Sequence, residues 1–261
     1  MPEGPPPAPV VQRLRIRYAK RGRLRFTSHR DFQRAFERAL RRAHVPIAYS
    51  AGFTPHPKVS YAGAAPTGVA SEAEYLEIAV TEPCEASLVR EELDHALPAG
   101  LDVLEVVPAG PGGLADRLEA SEWEIRLPGV PVSAAMDAAR RFLGEESVMV
   151  SRLTKNGMRT FDAREAVISI EPRGEPGAEG MCAILHAVVR QVTPAVRPDD
   201  VLMGLRLVAD FVPPTPPSVT RLAQGPLDVG SGTVCDPLAS DRRTVPGAAE
   251  TVTTASRFEV G

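Results

Sequence analysis

The sequence predicts an α+β protein with antiparallel sheets, laid down in two successive passes and flanked by disordered tails. Three observations carry this expectation. Short apolar stretches of period two alternate with longer stretches of helical period. The order strand, helix, strand, strand, helix, strand occurs once, and a similar order follows it. The two ends, 1–11 and 225–261, are rich in Pro, Gly, Ser, Thr and Ala and lack apolar periodicity, as disordered segments do.

In the first pass, Leu14–Tyr18 alternates Leu, Ile and Tyr with Arg13, Arg15 and Arg17, a strand pattern. Gly22 turns the chain, and Arg23–Thr27 continues it with Leu24 and Phe26 on one face. Ser28 then offers an N-cap, with Asp31 three residues on as its capping-box partner. Phe32, Ala35, Phe36, Ala39, Leu40 and Ala43 form one helical stripe, which Pro46 ends. Ile47–Ser50 and Val59–Ala62 read as strands broken by Gly52, Pro55 and Pro57. Glu74–Val80 is a strand, Ser87–Leu97 a helix and Leu101–Val107 a strand. This is the βαββαβ order of the ferredoxin-like split unit.

Gly110–Gly113 begins a linker over 110–121. The second pass runs through a strand at Glu122–Leu127 and a helix at Val132–Leu143. Val148–Leu153 and Thr160–Ile170 flank an Asn156-Gly157 turn, a hairpin signal. Met181–Val189 is a strand. Pro198, Asp199 and Asp200 open a helix reaching about Leu207, and Val219–Leu222 closes the second sheet. The expected organisation is a tail (1–11), a basic ferredoxin-like half (12–109), the linker, a second α+β half (122–224) and a tail (225–261). The duplication rests on element order, since no repeat is visible in the residues.

Charge is the informative bulk property. Residues 11–60 hold 13 Lys or Arg and two acids, Asp31 and Glu37, a formal +11; the remainder carries −14, giving a total of −3. Such asymmetry suggests that the front of the chain meets a polyanion. No apolar run is long enough for a membrane span, and Met1–Val10 does not read as a secretory leader, so the expected location is cytoplasmic. Cys84, Cys182 and Cys235 lie far apart and match no zinc or iron–sulfur spacing, so neither a metal nor a cofactor is expected.

The first helix carries Arg30, Arg34, Arg38, Arg41 and Arg42 on its polar side, with only Asp31 and Glu37 available as partners. A solvated face and a polyanion-binding face are both open readings. Arg13, Arg15 and Arg17 share one sheet face. They either track a phosphate backbone on the open side or meet acids from the second half. Aromatics for base stacking are nearly absent there, so backbone contact is favoured over base reading. In the loop Tyr49–Lys58, His56 is held between Pro55 and Pro57, beside Lys58. It suits anion contact, or a backbone-bonded structural role. As weak catalytic candidates, His56 as acid or base is grouped with Ser71 and Glu74. Asp162, Arg164 and Arg197 form either a buried ion pair or a second anion site, and the structural reading is preferred. No phosphate-binding, dinucleotide, hydrolase-elbow or zinc-protease motif occurs.

These residues resemble a known family. The segments Lys20-Arg21-Gly22-Arg23-Leu24-Arg25-Phe26-Thr27-Ser28-His29, Ala35–Ala43, Ala48–Phe53 with Pro55-His56-Pro57, and Gly68–Tyr75 are similar to a bacterial family of unknown function, DUF2344, whose members are called radical SAM-linked proteins. The resemblance spans about 13–224. It implies a partner more than an activity, because related sequences occur fused to or beside a radical S-adenosylmethionine protein with a cobalamin-type domain. Relatives also tend to be encoded near RNA-processing functions. Radical enzymes need a CxxxCxxC motif, which this chain lacks. The expected function is therefore a non-catalytic accessory protein that holds RNA, tRNA or rRNA, for a separate radical enzyme. The alternatives are an enzyme acting on a nucleoside or small anion through His56, and a module that only docks the radical enzyme.

Overall fold

The computed structural model describes residues 7–155, 157–175 and 181–243. The first half runs β1 (Gln12–Lys20), α1 (His29–Arg42), β2 (Val59–Ala62), β3 (Ala70–Val80), α2 (Ala86–Ala96) and β4 (Leu101–Pro108). The second runs β5 (Ala120–Pro128), α3 (Val132–Gly144), β6 (Met149–Thr154), β7 (Gly157–Asp162), β8 (Val167–Gly174), β9 (Cys182–Arg190), α4 (Pro198–Ala209) and β10 (Ser218–Gly225). Two short strands, β11 (Leu227–Asp228) and β12 (Thr233–Val234), and a turn of helix, α5 (Ala239–Arg242), follow. The fold is α+β with a mostly antiparallel sheet.

That sheet is shared by both halves. Its order is β4-β1-β3-β10-β5-β9-β8, with β2 also paired to β3. The halves join where β10 runs parallel to β3 through Thr220–Ala70 and Arg221–Ser71; every other pairing is antiparallel. Strand β10 lies between β3 and β5, so the two expected sheets are one.

Local sequence explains most elements. The Ser28 hydroxyl accepts a hydrogen bond from the Asp31 amide at 3.2 Å and donates to its carboxylate at 2.7 Å, which caps α1. Phe32, Phe36, Ala39 and Leu40 of its stripe are buried with Leu14, Ile16, Leu76 and Ile78. Ile125, Leu127, Phe142, Leu185 and Leu205 centre a second core beneath α3 and α4.

Three expectations are corrected. Arg23–Thr27 is not a continued strand: Gly22 (φ +54°) diverts the chain, and the Leu24 and Thr27 amides close a 3₁₀ turn. Thr160–Ile170 is two strands. β7 pairs with β6 in a separate hairpin, the chain turns at Asp162, and β8 joins the main sheet. The Asp162 carboxylate makes that turn by accepting from the Val148 and Arg164 amides at 2.9 and 2.8 Å. Of the Asn156-Gly157 turn, Asn156 lies outside the described residues. Finally, residues 225–243 are not a disordered tail. They form β11, β12 and α5, and Leu238 and Asp241 are fully buried. Short polar segments lack periodicity, yet here one charged residue fixes the segment. Residues 1–6 and 244–261 of the two expected tails lie outside the described residues.

The expected linker is packed as well. Leu114 and Leu118 are buried with Ala73, Tyr75, Val107 and Leu238 on the face of the sheet away from α1.

Candidate functional site

The α1 helix presents Arg30, Arg34, Arg38, Arg41 and Arg42, all exposed. The stripe that buries Phe32, Phe36 and Leu40 forces these arginines outward. Their neutralisation is slight. Arg34 lies 4.0 Å from Asp31, and Arg41 donates to the Glu37 carbonyl at 3.3 Å. Arg30, Arg38 and Arg42 have no ion pair among the described residues. Arg38 and Arg42 border a shallow depression of about 300 Å³ with His95 and Pro98. Apart from Asp31 and Glu37, no acid on α1 answers this face.

The loop after α1 closes on itself. The Ser50 amide donates to the His56 carbonyl at 2.9 Å, and the His56 amide donates to the Ser50 hydroxyl at 3.0 Å. Tyr49 bridges Pro57. This holds the tip out in solvent: His56 is exposed and Phe53 is 92 % exposed. The His56 ring makes no hydrogen bond among the described residues, so it is not a backbone-bonded structural histidine. Lys58 is half-buried.

The sheet arginines behave differently from the expected open basic face. Arg15 is 1 % exposed. Its guanidinium donates to both Asp241 oxygens at 2.9 Å, to Glu77 at 3.1 Å, and to the carbonyls of Gly110 and Gly112. Arg117 adds a second guanidinium at 2.9 Å from Asp241. Arg15 is therefore withdrawn from the anion-binding set, because α5 and the 110–118 segment cover it. Arg17 is half-buried and donates to the Glu72 carbonyl at 2.9 Å, and Arg13 is exposed but paired with Glu77 at 3.0 Å. The acids that meet these arginines come from β3 and α5, not from the body of the second half.

His56, Ser71 and Glu74 do not form a pocket together. Ser71 and Glu74 are buried at the β3–β10 joint, where both accept hydrogen bonds from Arg221; its third nitrogen donates to the Gly63 carbonyl at 2.6 Å. Glu74 also accepts the Ala65 amide at 3.1 Å. Lys20 lies beside them, donating to the Ala65 and Pro66 carbonyls, and burial lowers its pKa below the usual lysine value. Tyr18 next to this cluster has its hydroxyl pushed well up, first by burial and then by Glu74. Arg221 also lies 5.5 Å over the Trp123 ring. This network escaped the sequence reading. Its signal was a lone Arg within an otherwise strand-like run, Val219–Leu222.

Asp162 and Arg164 are structural without forming an ion pair. Asp162 closes its turn, and Arg164 donates to the Leu143 and Val167 carbonyls. Among the described residues no cluster of His, Cys, Asp and Glu is arranged to hold a metal, and no helix is long and apolar enough to cross a membrane.

Fold and site together define an α+β protein with a shared antiparallel sheet and one strongly cationic helix face. The chain belongs to the family DUF2344, described as an uncharacterized protein conserved in bacteria, whose model matches residues 13–198. No curated protein matches the sequence.

Proposed function

We propose that this protein binds RNA through the α1 arginine face and presents it to a separate radical S-adenosylmethionine enzyme. The observation that carries the first part is the set of exposed arginines on α1, met by one ion pair at 4.0 Å. Such a face costs self-repulsion in the free protein. Paired with phosphates, the same charges release counterions and favour binding. The nearly fully exposed Phe53 supports the reading, since an aromatic side chain in solvent offers a stacking surface for an unpaired base. Arg30, Arg34, Arg38, Arg41, Arg42, His56 and Lys58 are the proposed contacts; Arg13 and Arg17 stand at the margin. The radical enzyme as partner rests on the motif resemblance, and the chemistry would be that enzyme's own.

We also read the halves as tandem ferredoxin-like units. The strand orders β4-β1-β3-β2 and β10-β5-β9-β8 support this, with the β6–β7 hairpin as an insertion in the second.

Binding of a labelled tRNA measured at several salt concentrations tests the RNA reading. Log affinity should fall with log salt by roughly 0.7 to 0.9 per phosphate contacted. Combined Arg34→Glu, Arg38→Glu and Arg41→Glu should abolish the interaction with the thermal midpoint little changed. Salt-independent binding, or binding that survives this triple change, sinks the proposal. A pull-down of the tagged chain from cell lysate that recovers the radical enzyme alone, unaffected by ribonuclease, would make α1 a protein-docking face instead.

A further inference from the structure

Where β3, β10 and β5 meet, a cavity of about 170 Å³ lies between the β2–β3 and β9–α4 loops. Its charged lining residues are Arg190, Arg197 and Arg221, with no acid among them. Arg221 is occupied by Glu74 and Ser71. Arg190 and Arg197 are exposed at the rim, and neither has a carboxylate within ion-pairing distance among the described residues.

The cavity wall also holds an unanswered amide. Gln224 is 3 % exposed, and its carbonyl oxygen is buried with no hydrogen-bond partner. The amide nitrogen has no hydrogen bond among the described residues either, so the statement survives turning the amide over. Leaving such a group unpaired is costly, so it calls for an explanation. Its position depends on Gly63: a Cβ there would lie 2.2 Å from the amide nitrogen. Beside it, the hydroxyl of Ser121, a mostly buried residue, borders the cavity and also lacks a hydrogen bond among the described residues.

Size and chemistry restrict the ligand. A cavity of about 150 Å³ holds a benzene ring, so a single six-membered ring fits this one. One end of the Gln224 amide and the Ser121 hydroxyl are the hydrogen-bonding groups on the cavity wall, and they suit the polar edge of a pyrimidine base. Two unpaired guanidiniums at the mouth suit a phosphate. We infer that the cavity binds a pyrimidine nucleotide, with the base against Gln224 and Ser121 and the phosphate on Arg190 and Arg197. The nucleotide is either free or one unit of an RNA strand. This inference is independent of the α1 reading.

Calorimetric titration of the full chain tests it, using uridine 5′-monophosphate, adenosine 5′-monophosphate, uridine, inorganic phosphate and a short oligouridylate. A uridylate ligand should bind with a Kd below about 1 mM, and adenosine monophosphate and phosphate at least about tenfold more weakly. Gln224→Leu should weaken uridylate about tenfold or more. Arg190→Ala with Arg197→Ala, both at exposed positions, should weaken uridine monophosphate and leave uridine unchanged. Equal affinity for the monophosphate and the oligomer indicates the free nucleotide, and binding of the oligomer alone indicates RNA. No binding by either, equal affinity for phosphate or the purine, or indifference to both sets of substitutions overturns the inference. The α1 triple reversal should leave monophosphate binding intact, so failure here is separable from failure of the helix-face reading.

Discussion

Asp241 is a single residue on which several others depend. It is fully buried, and it accepts from Arg15, Arg117 and the Gly110 amide. Removing one partner of such a pair strands the remaining charge. Asp241→Ala should therefore lower the unfolding free energy by about 3–5 kcal/mol in urea titrations, whereas adding Arg15→Met should recover much of the loss. An unchanged midpoint in the single variant would refute this role. The acid limb of stability follows from the same contacts. Burial alone would raise the Asp241 pKa, but hydrogen bonds from Arg15, Arg117 and Gly110 outweigh it and hold the group below its usual value. Its stabilising contribution is thus complete above an unfolded pKa of about 3.9 and is lost as pH falls through the lower folded value. As pH falls below about 4 the protein should lose stability more steeply than Asp241→Ala does, and parallel acid limbs would count against it. None of this was legible in the sequence. The period-two pattern located Arg15 on the correct face, but whether that face is open depends on a carboxylate 226 positions away.

At the scale of elements, what the sequence revealed follows from how local each cause is. The α1 stripe, its Ser28 cap and its outward arginines are all decided within a few residues, and each stands where expected. Strand β7 and its neighbour β8 read as one because both are apolar-alternating, and the break depends on Asp162 meeting a backbone amide 14 residues earlier. The segment β11–α5 has no periodicity because it is anchored at Leu238 and Asp241 and not along a face. Ending the chain at Gly225 should consequently expose Arg15, Leu114 and Leu118. The shortened protein should unfold at lower temperature than the full chain and bind a hydrophobic dye such as ANS. If it melts like the full chain, the segment is an ornament.

Over the whole molecule, the charge imbalance survives folding only in part. Arg15, Arg21 and Arg13 are drawn into ion pairs with Glu77, Asp241, Glu72 and Asp102, so the cationic excess concentrates on α1. The composition indicated a basic front, and the fold decides which part of that front is available. The halves are tied twice, by the two-residue parallel joint of β3 with β10 and by a C-terminal segment whose α5 rests on β4 while β12 touches β5 and β10. That second tie has a consequence in time. Arg15 is synthesised 226 residues before its partner Asp241. Closing so long a loop carries an entropic cost that local contacts avoid, so the α1 helix and strands β1–β4 can assemble well before this pair does. During synthesis the first half is therefore a provisional structure, its lower face apolar and carrying an unanswered guanidinium, until Leu238 and Asp241 arrive to seal it.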